Sequence, residues 1–101
     1  MHSEIDAAEL LNRLDKGEKL NLLDVREKME FNTYNIGGKN IPLKNVGTDA
    51  AGITANKNEE IIIICTAGLR SATAATLLAN AGYTNARNLT GGLLALQKIK
   101  R

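Results

Sequence analysis

At 101 residues, with 44% hydrophobic and 24% charged side chains, the chain suits one globular domain that buries roughly two-thirds of its unfolded surface, and residues 1–101 are read as that single domain. The 13 basic and 11 acidic side chains leave a net charge of +2 with only 3% aromatics, which argues against a nucleic-acid surface; the basic tail of Lys98, Lys100 and Arg101 suits the C-terminal end of a helix dipole. One cysteine and one histidine, His2, exclude an intramolecular disulfide and a zinc cluster, and the lack of a leader pattern or of an apolar run near ~18 residues predicts a cytoplasmic location with no membrane partner.

Ile5 ends a short edge strand, because Asp6 is followed three residues later by Glu9, close to a capping box that starts a helix. Leu10, Leu11 and Leu14 give that helix one apolar face, and Gly17 is placed to stop it. Lys19 to Val25 is an apolar, β-rich run. Glu27 to Tyr34 predicts a short helix with Met29 and Phe31 as its apolar contacts. A turn from Tyr34 to Gly38 leads to a short strand, Asn40 to Leu43, which holds the only proline, Pro42. The polar stretch from Lys44 to Asn58 predicts a helical turn at Asp49 to Ile53.

Ile61 to Cys65 reads as a strand buried on both faces, hence central in a parallel sheet. A loop follows to Arg70, and Ser71 opens a helix that runs to Ala81 and ends at Gly82. Ala86 to Leu89 forms the last strand, Gly91-Gly92 a turn, and Leu93 to Lys100 a final amphipathic helix. Strands and helices alternating at this length predict right-handed β-α-β crossovers. The fold class is therefore α/β, a three-layer α/β/α sandwich around a mainly parallel five-stranded sheet.

Cys65 stands at the carboxyl end of the central strand, facing a helix N-terminus, where α/β folds place reacting groups. A thiol is a nucleophile as its thiolate. The amides of Thr66, Ala67, Gly68, Leu69, Arg70 and Ser71 can turn inward as a nest, the helix dipole adds positive potential, and Arg70 adds a fixed cation, all of which favour the thiolate. The competing possibility is a buried, inert core cysteine, against which the glycine-containing loop argues. Gly68 is placed for a close backbone approach or a positive φ. Ser71 is the expected N-cap, with its hydroxyl in reach of the sulfur. Arg70 is left between a salt bridge or solvation and direct contact with an anion. Asp24 and Arg26, at the end of an earlier strand, share a rim with Cys65 in a parallel sheet; they either shape the pocket or, as close Asp–Arg pairs more often do, tie loops together.

Three stretches carry a resemblance: Leu23-Asp24-Val25-Arg26-Glu27 with Glu30-Phe31; Ile36-Gly37-Gly38-Lys39-Asn40-Ile41-Pro42-Leu43; and Cys65-Thr66-Ala67-Gly68-Leu69-Arg70-Ser71-Ala72. Together they resemble a single-domain rhodanese, a sulfurtransferase-type module, and Ala79 to Tyr83 with Asn88 to Gly92 is similar to that family as well. Tyr34-Asn35-Ile36 departs from the Gly-His-Ile usual in relatives, and leucines follow Gly92 where a tryptophan is common. The resemblance implies a two-step, ping-pong transfer of sulfane sulfur. Cys65 takes the outer sulfur of thiosulfate or a persulfide, and a thiol or cyanide acceptor removes it from the resulting cysteine persulfide.

No cofactor and no metal are called for, and the chain is expected to act as a monomer. Its partners are a small sulfur-containing substrate or a partner-protein persulfide, and a thiol acceptor. Four residues separate Cys65 from Arg70, one fewer than in the related phosphatases and arsenate reductases, which favours sulfur over phosphate. With Arg70 the one charge of the loop, a persulfide is favoured over the thiosulfate dianion. The alternative is a non-catalytic or redox-sensing interaction module with an incidental thiol.

Overall fold

Ile61, Ile62, Ile63 and Ile64 are all fully buried, a pattern that requires helices on both faces of the strand they form. In the computed structural model, which describes residues 3–49, 52–54 and 56–100, this strand is the fourth of five. The described elements run β1 (Ser3–Ile5), α1 (Ala7–Asp15), β2 (Leu22–Asp24), α2 (Lys28–Thr33), β3 (Lys39–Asn40), α3 (Leu43–Asp49), β4 (Ile61–Ile64), α4 (Leu69–Asn80), β5 (Ala86–Leu89) and α5 (Gly92–Ile99). His2 and Arg101 lie outside the described residues.

The sheet order is β1-β5-β4-β2-β3, and every pairing is parallel. The α/β fold with a five-stranded sheet is thus as the alternation predicted. Side chains alternate across β4 with period two. Ile61 and Ile63 pack with Val46, Ala74, Ala75 and Leu78, whereas Ile62 and Ile64 pack with Leu10, Leu93 and Leu96. Helices α3 and α4 therefore cover one face, and α1 and α5 the other. Register aligns Asp24 with Ile64 and Ile63 with Asn88, which brings the carboxyl ends of β2, β4 and β5 to one edge. No helix among the described residues is long and apolar enough to cross a membrane.

The predicted start of α1 holds: the Asp6 carboxylate accepts the Glu9 amide at 2.8 Å, and Gly17 follows the helix with φ +76°. Several predicted features differ, among them β2, which is confined to Leu22–Asp24, and α5, which already includes Gly92. Strand β3 is only Lys39–Asn40, and Leu43 already begins α3, which runs to Asp49; of the helical turn predicted at Asp49 to Ile53, residues 50 and 51 lie outside the described residues. Pro42 suits that start, because its missing N–H is not needed there, and its carbonyl accepts the Asn45 amide at 2.8 Å. Met29 is not an apolar contact: it is 81% exposed, because α2 turns Met29 to solvent and leaves Phe31 half-buried. Helix α4 begins at Leu69, two residues before Ser71.

Candidate active site

Cys65 follows directly on β4 and is 1% exposed. The chain then reverses through Thr66 and Ala67 to Gly68, whose φ of +96° is a conformation that residues with a Cβ adopt only at a cost. This geometry points the Gly68 amide at the Cys65 sulfur, 3.1 Å away, and the Ser71 amide donates to the same sulfur at 3.3 Å. Gly68 is the N-cap of α4 and has no side chain with which to cap it. The sulfur serves as the missing acceptor, so negative charge on it is met by two N–H groups and by the positive end of the helix dipole. Ser71 is consequently not the N-cap. It is the third residue of α4, fully buried, with its hydroxyl 3.3 Å from the sulfur and in a short hydrogen bond with Oδ1 of Asn88.

The other side of the loop is held by α5. The amides of Leu93 and Leu94 donate to the carbonyls of Cys65 and Thr66 at 2.9 and 3.0 Å. A Cβ at Gly92 would stand 2.5 Å from the Cys65 carbonyl oxygen, so this approach needs a glycine. With the two carbonyls drawn towards α5, the amides that follow are free to face the sulfur.

Arg70 makes the salt bridge of the two roles open to it. Its Nη1 and Nη2 donate to the two carboxylate oxygens of Glu30 at 2.7 and 3.0 Å, and Nη2 also reaches Oγ1 of Thr66 at 3.3 Å. The guanidinium bonds, followed by the Glu27 amide, lower the Glu30 carboxyl from 4.5 to about 2. Glu30 in turn raises the Arg70 pKa, with a smaller contribution from Cys65. Of the remaining loop side chains, Thr66 is half-buried, and Ala67 and Leu69 are exposed.

The Rhodanese-like domain family profile matches residues 6–99. The chain belongs to the rhodanese-like domain family. It is 39% identical over 66 residues to the thiosulfate sulfurtransferase PspE of Escherichia coli (strain K12). That match spans 63% of this chain and 62% of PspE, less than two-thirds of the relative's length. Among solved structures, the rhodanese-like domain of the Anabaena sp. Alr3790 protein superposes with a TM-score of 0.85 at 29% identity, covering 99% of this chain and 76% of that one. A rhodanese-like domain protein from Staphylococcus aureus gives 0.81 at 33% identity, covering 93% and 90%. The human single domain sulfurtransferase TSTD1 gives 0.82 at 26% identity, covering 97% of each chain.

In this rhodanese-like chain, Asp24 and Arg26 form a buried pair rather than an open rim. Arg26 Nη2 donates to Asp24 Oδ2 at 2.8 Å and its backbone amide to Oδ1 at 3.0 Å. A further bond from Nη2 to the Tyr34 carbonyl, at 2.6 Å, ties the pair to the end of α2. The pair thereby fixes the helix that carries Glu30. An open cavity of about 740 Å³ runs along α2, lined by residues from Arg26 to Tyr34 and by none of the Cys65 loop. Among the described residues no group of three or more His, Cys, Asp or Glu is gathered as metal ligands are.

Glu30, Asn88 and Gly92 are contacts of the site to which their sequence positions give no role. Asn88 carried a usable signal: a carboxamide between Ala86 and Leu89 on a buried strand needs a hydrogen-bond partner. Glu30 falls in a stretch that carries the resemblance, but its partner, 40 residues away, is not readable from that stretch.

Proposed function

We propose that the chain is a sulfurtransferase that carries a sulfane sulfur as a persulfide on Cys65. The observation that carries this reading is the Cys65 sulfur accepting the amides of Gly68 and Ser71 at the start of α4. Such a site stabilises a sulfur anion without any acid or base of its own. In the first step the Cys65 thiolate attacks the outer sulfur of the donor. A new S–S bond forms, the donor's S–S bond breaks, and its electron pair leaves with sulfite or with a thiolate. In the second step an acceptor thiolate or cyanide attacks the outer sulfur and the Cys65 thiolate is released. Thr66, Ala67, Gly68, Leu69, Arg70 and Ser71 form the substrate loop.

PspE is a thiosulfate sulfurtransferase, which supports thiosulfate as one donor. The neutral Ala67 and Leu69 and the ion-paired Arg70 favour a persulfide, on a small thiol or a partner protein, as the better one. The protein acts as a monomer, needs no cofactor, and works in the cytoplasm, where thiols stay reduced. The other reading is a non-catalytic or redox-sensing interaction module; the 1% exposure of Cys65 favours its non-catalytic form, with an incidental thiol, because a redox-sensing thiol needs access to solvent. Mass spectrometry after incubation with thiosulfate or glutathione persulfide separates the two. The expected result is one added sulfur on Cys65 that is absent in Cys65→Ser; a folded protein that gains no sulfur from either donor overturns the sulfurtransferase reading.

A further inference from the structure

We propose that Glu30 is a specificity residue: by pairing with Arg70 it cancels the one cation of the Cys65 loop and removes the preference for negatively charged donors that a free Arg70 would give it. The inference names the donor class of the sulfurtransferase reading and rests on that reading for its biological meaning. Its geometry stands apart from it.

Arg70 is the only charged side chain between Cys65 and Ser71. A free guanidinium there would attract a dianion. Instead it is engaged at both terminal nitrogens by one carboxylate, 2.7 and 3.0 Å away, a bidentate arrangement that fixes its orientation. An entering anion meets a neutral pair, and to use Arg70 it must displace Glu30. Glu30 is not a loose competitor. Its Oε1 accepts the Glu27 amide at 3.0 Å in the capping box of α2, and α2 is anchored through Arg26 and Tyr34. The carboxylate stays ionised throughout the neutral range. The pair lies beside the sulfur's own loop, because Arg70 Nη2 also reaches Oγ1 of Thr66, the residue next to Cys65, at 3.3 Å. A charge removed from the pair is therefore felt at the reacting atom.

The test uses two alkylating reagents of nearly equal size, iodoacetate and iodoacetamide, which differ by one negative charge. In each case the Cys65 thiolate forms a C–S bond while iodide leaves with the C–I electron pair. Cys65 is the only cysteine, so the ratio of the two rates reads the charge at its mouth and cancels access. Four proteins are compared: the natural chain (pair charge zero), Glu30→Gln (plus one), Arg70→Gln (minus one) and the double variant (zero). Glutamine at position 30 can still accept the Glu27 amide.

The iodoacetate/iodoacetamide ratio is expected to rise several-fold in Glu30→Gln, because one added positive charge near the sulfur favours the anionic reagent. It should fall by a similar factor in Arg70→Gln and return near the natural value in the double variant. All differences should shrink in 1 M salt. An unchanged ratio in Glu30→Gln, a rise that persists when Arg70 is also replaced, or a natural chain that reacts with neither reagent overturns the inference. If Glu30→Gln fails to fold, Arg70→Gln tests the same idea with the opposite sign.

Sulfur loading from thiosulfate and from glutathione persulfide is followed in the same four proteins. Ratios in the expected order without any loading leave the charge filter standing and defeat the sulfurtransferase reading. Loading with unchanged ratios does the reverse.

Discussion

The sulfur of Cys65 lies 3.3 Å from the backbone nitrogen of Ser71 and takes the hydrogen bond that an N-cap side chain would otherwise accept. The atom proposed to carry the sulfur is thus also a structural acceptor, and the two roles separate by substitution. Cys65→Ser keeps an oxygen in place for the amides and should hold stability within about 1 kcal/mol while abolishing sulfur loading. Cys65→Ala leaves the buried amides of Gly68 and Ser71 without that acceptor and should cost about 1–3 kcal/mol. Thermal denaturation compares the two; equal midpoints would refute the capping role of the sulfur.

The Ser71 hydroxyl has one proton and two neighbours, the Cys65 sulfur at 3.3 Å and Oδ1 of Asn88. While that proton goes to Asn88, the hydroxyl presents lone pairs to the sulfur and does not stabilise its anion. Asn88→Leu, close in shape, frees the proton to be donated to the thiolate. Alkylation of Cys65 at pH 7 should speed up roughly tenfold or more, in line with about 1.5–3 kcal/mol for one hydrogen bond to a charged group. In a Ser71→Ala background the Asn88 substitution should have no such effect, and an equal effect in both backgrounds would show that Asn88 does not act through the Ser71 proton.

The parts of the fold legible in the sequence are those set by local pattern. Four consecutive β-branched isoleucines in so short a run favour a strand covered on both faces, and Asp6 with Glu9 announces α1. What escaped was set at a distance. Ser71 has the right chemistry for an N-cap, but the end of β4 supplies a sulfur in that role and moves the helix start to Leu69. Asn45, Gly47 and Thr48 are poor helix formers, yet α3 forms around them because Val46 is fully buried against the core. The Cys65 loop was readable as a thiol in a nest of amides. The partner of Arg70 was not: Glu30 stands in a stretch that carries the resemblance, but its contact is made across 40 residues.

Gly92 has φ +60°, and a Cβ there would come within 2.5 Å of the Cys65 carbonyl oxygen. Gly17 has φ +76° with nothing within 4 Å of its Cβ direction. Alanine at either position incurs left-handed strain of about 1–3 kcal/mol, but at Gly92 the loop backbone must also move. Gly92→Ala should therefore be clearly more destabilising than Gly17→Ala in denaturant titrations. It should also slow Cys65 alkylation in the fraction that remains folded, whereas Gly17→Ala should not. Matching losses of stability would show that the clamp on the loop tolerates displacement.

Asp24 is fully buried and Arg26 is 5% exposed, so removing one partner strands the other charge. Asp24→Asn should cost about 3–5 kcal/mol, the usual loss when a buried pair is broken. If the pair only ties β2 to the end of α2, sulfur loading per folded molecule should stay near that of the natural chain. Loading that falls well below the folded fraction measured by circular dichroism would instead assign these residues to the pocket.

The Glu30 carboxyl is lowered from 4.5 to about 2, chiefly by its hydrogen bonds from Arg70. In the unfolded chain this group takes up a proton as pH falls through 4.5, whereas in the folded chain it stays ionised until about pH 2. Its contribution is thus fully present above pH ~5 and drains away between there and pH 2. Glu60, lowered chiefly by its hydrogen bond from Arg13, acts in the same direction and is untouched by changes at position 30. The Glu30 side chain is 38% exposed, so solvent screening holds the pair to about 1 kcal/mol or less. Glu30→Gln should therefore lower the thermal midpoint slightly at pH 7, and the two curves should converge as pH approaches 2. Midpoints measured at intervals from pH 7 to pH 2 check this, and curves that stay parallel across the range would show that the Arg70 pair adds nothing to stability.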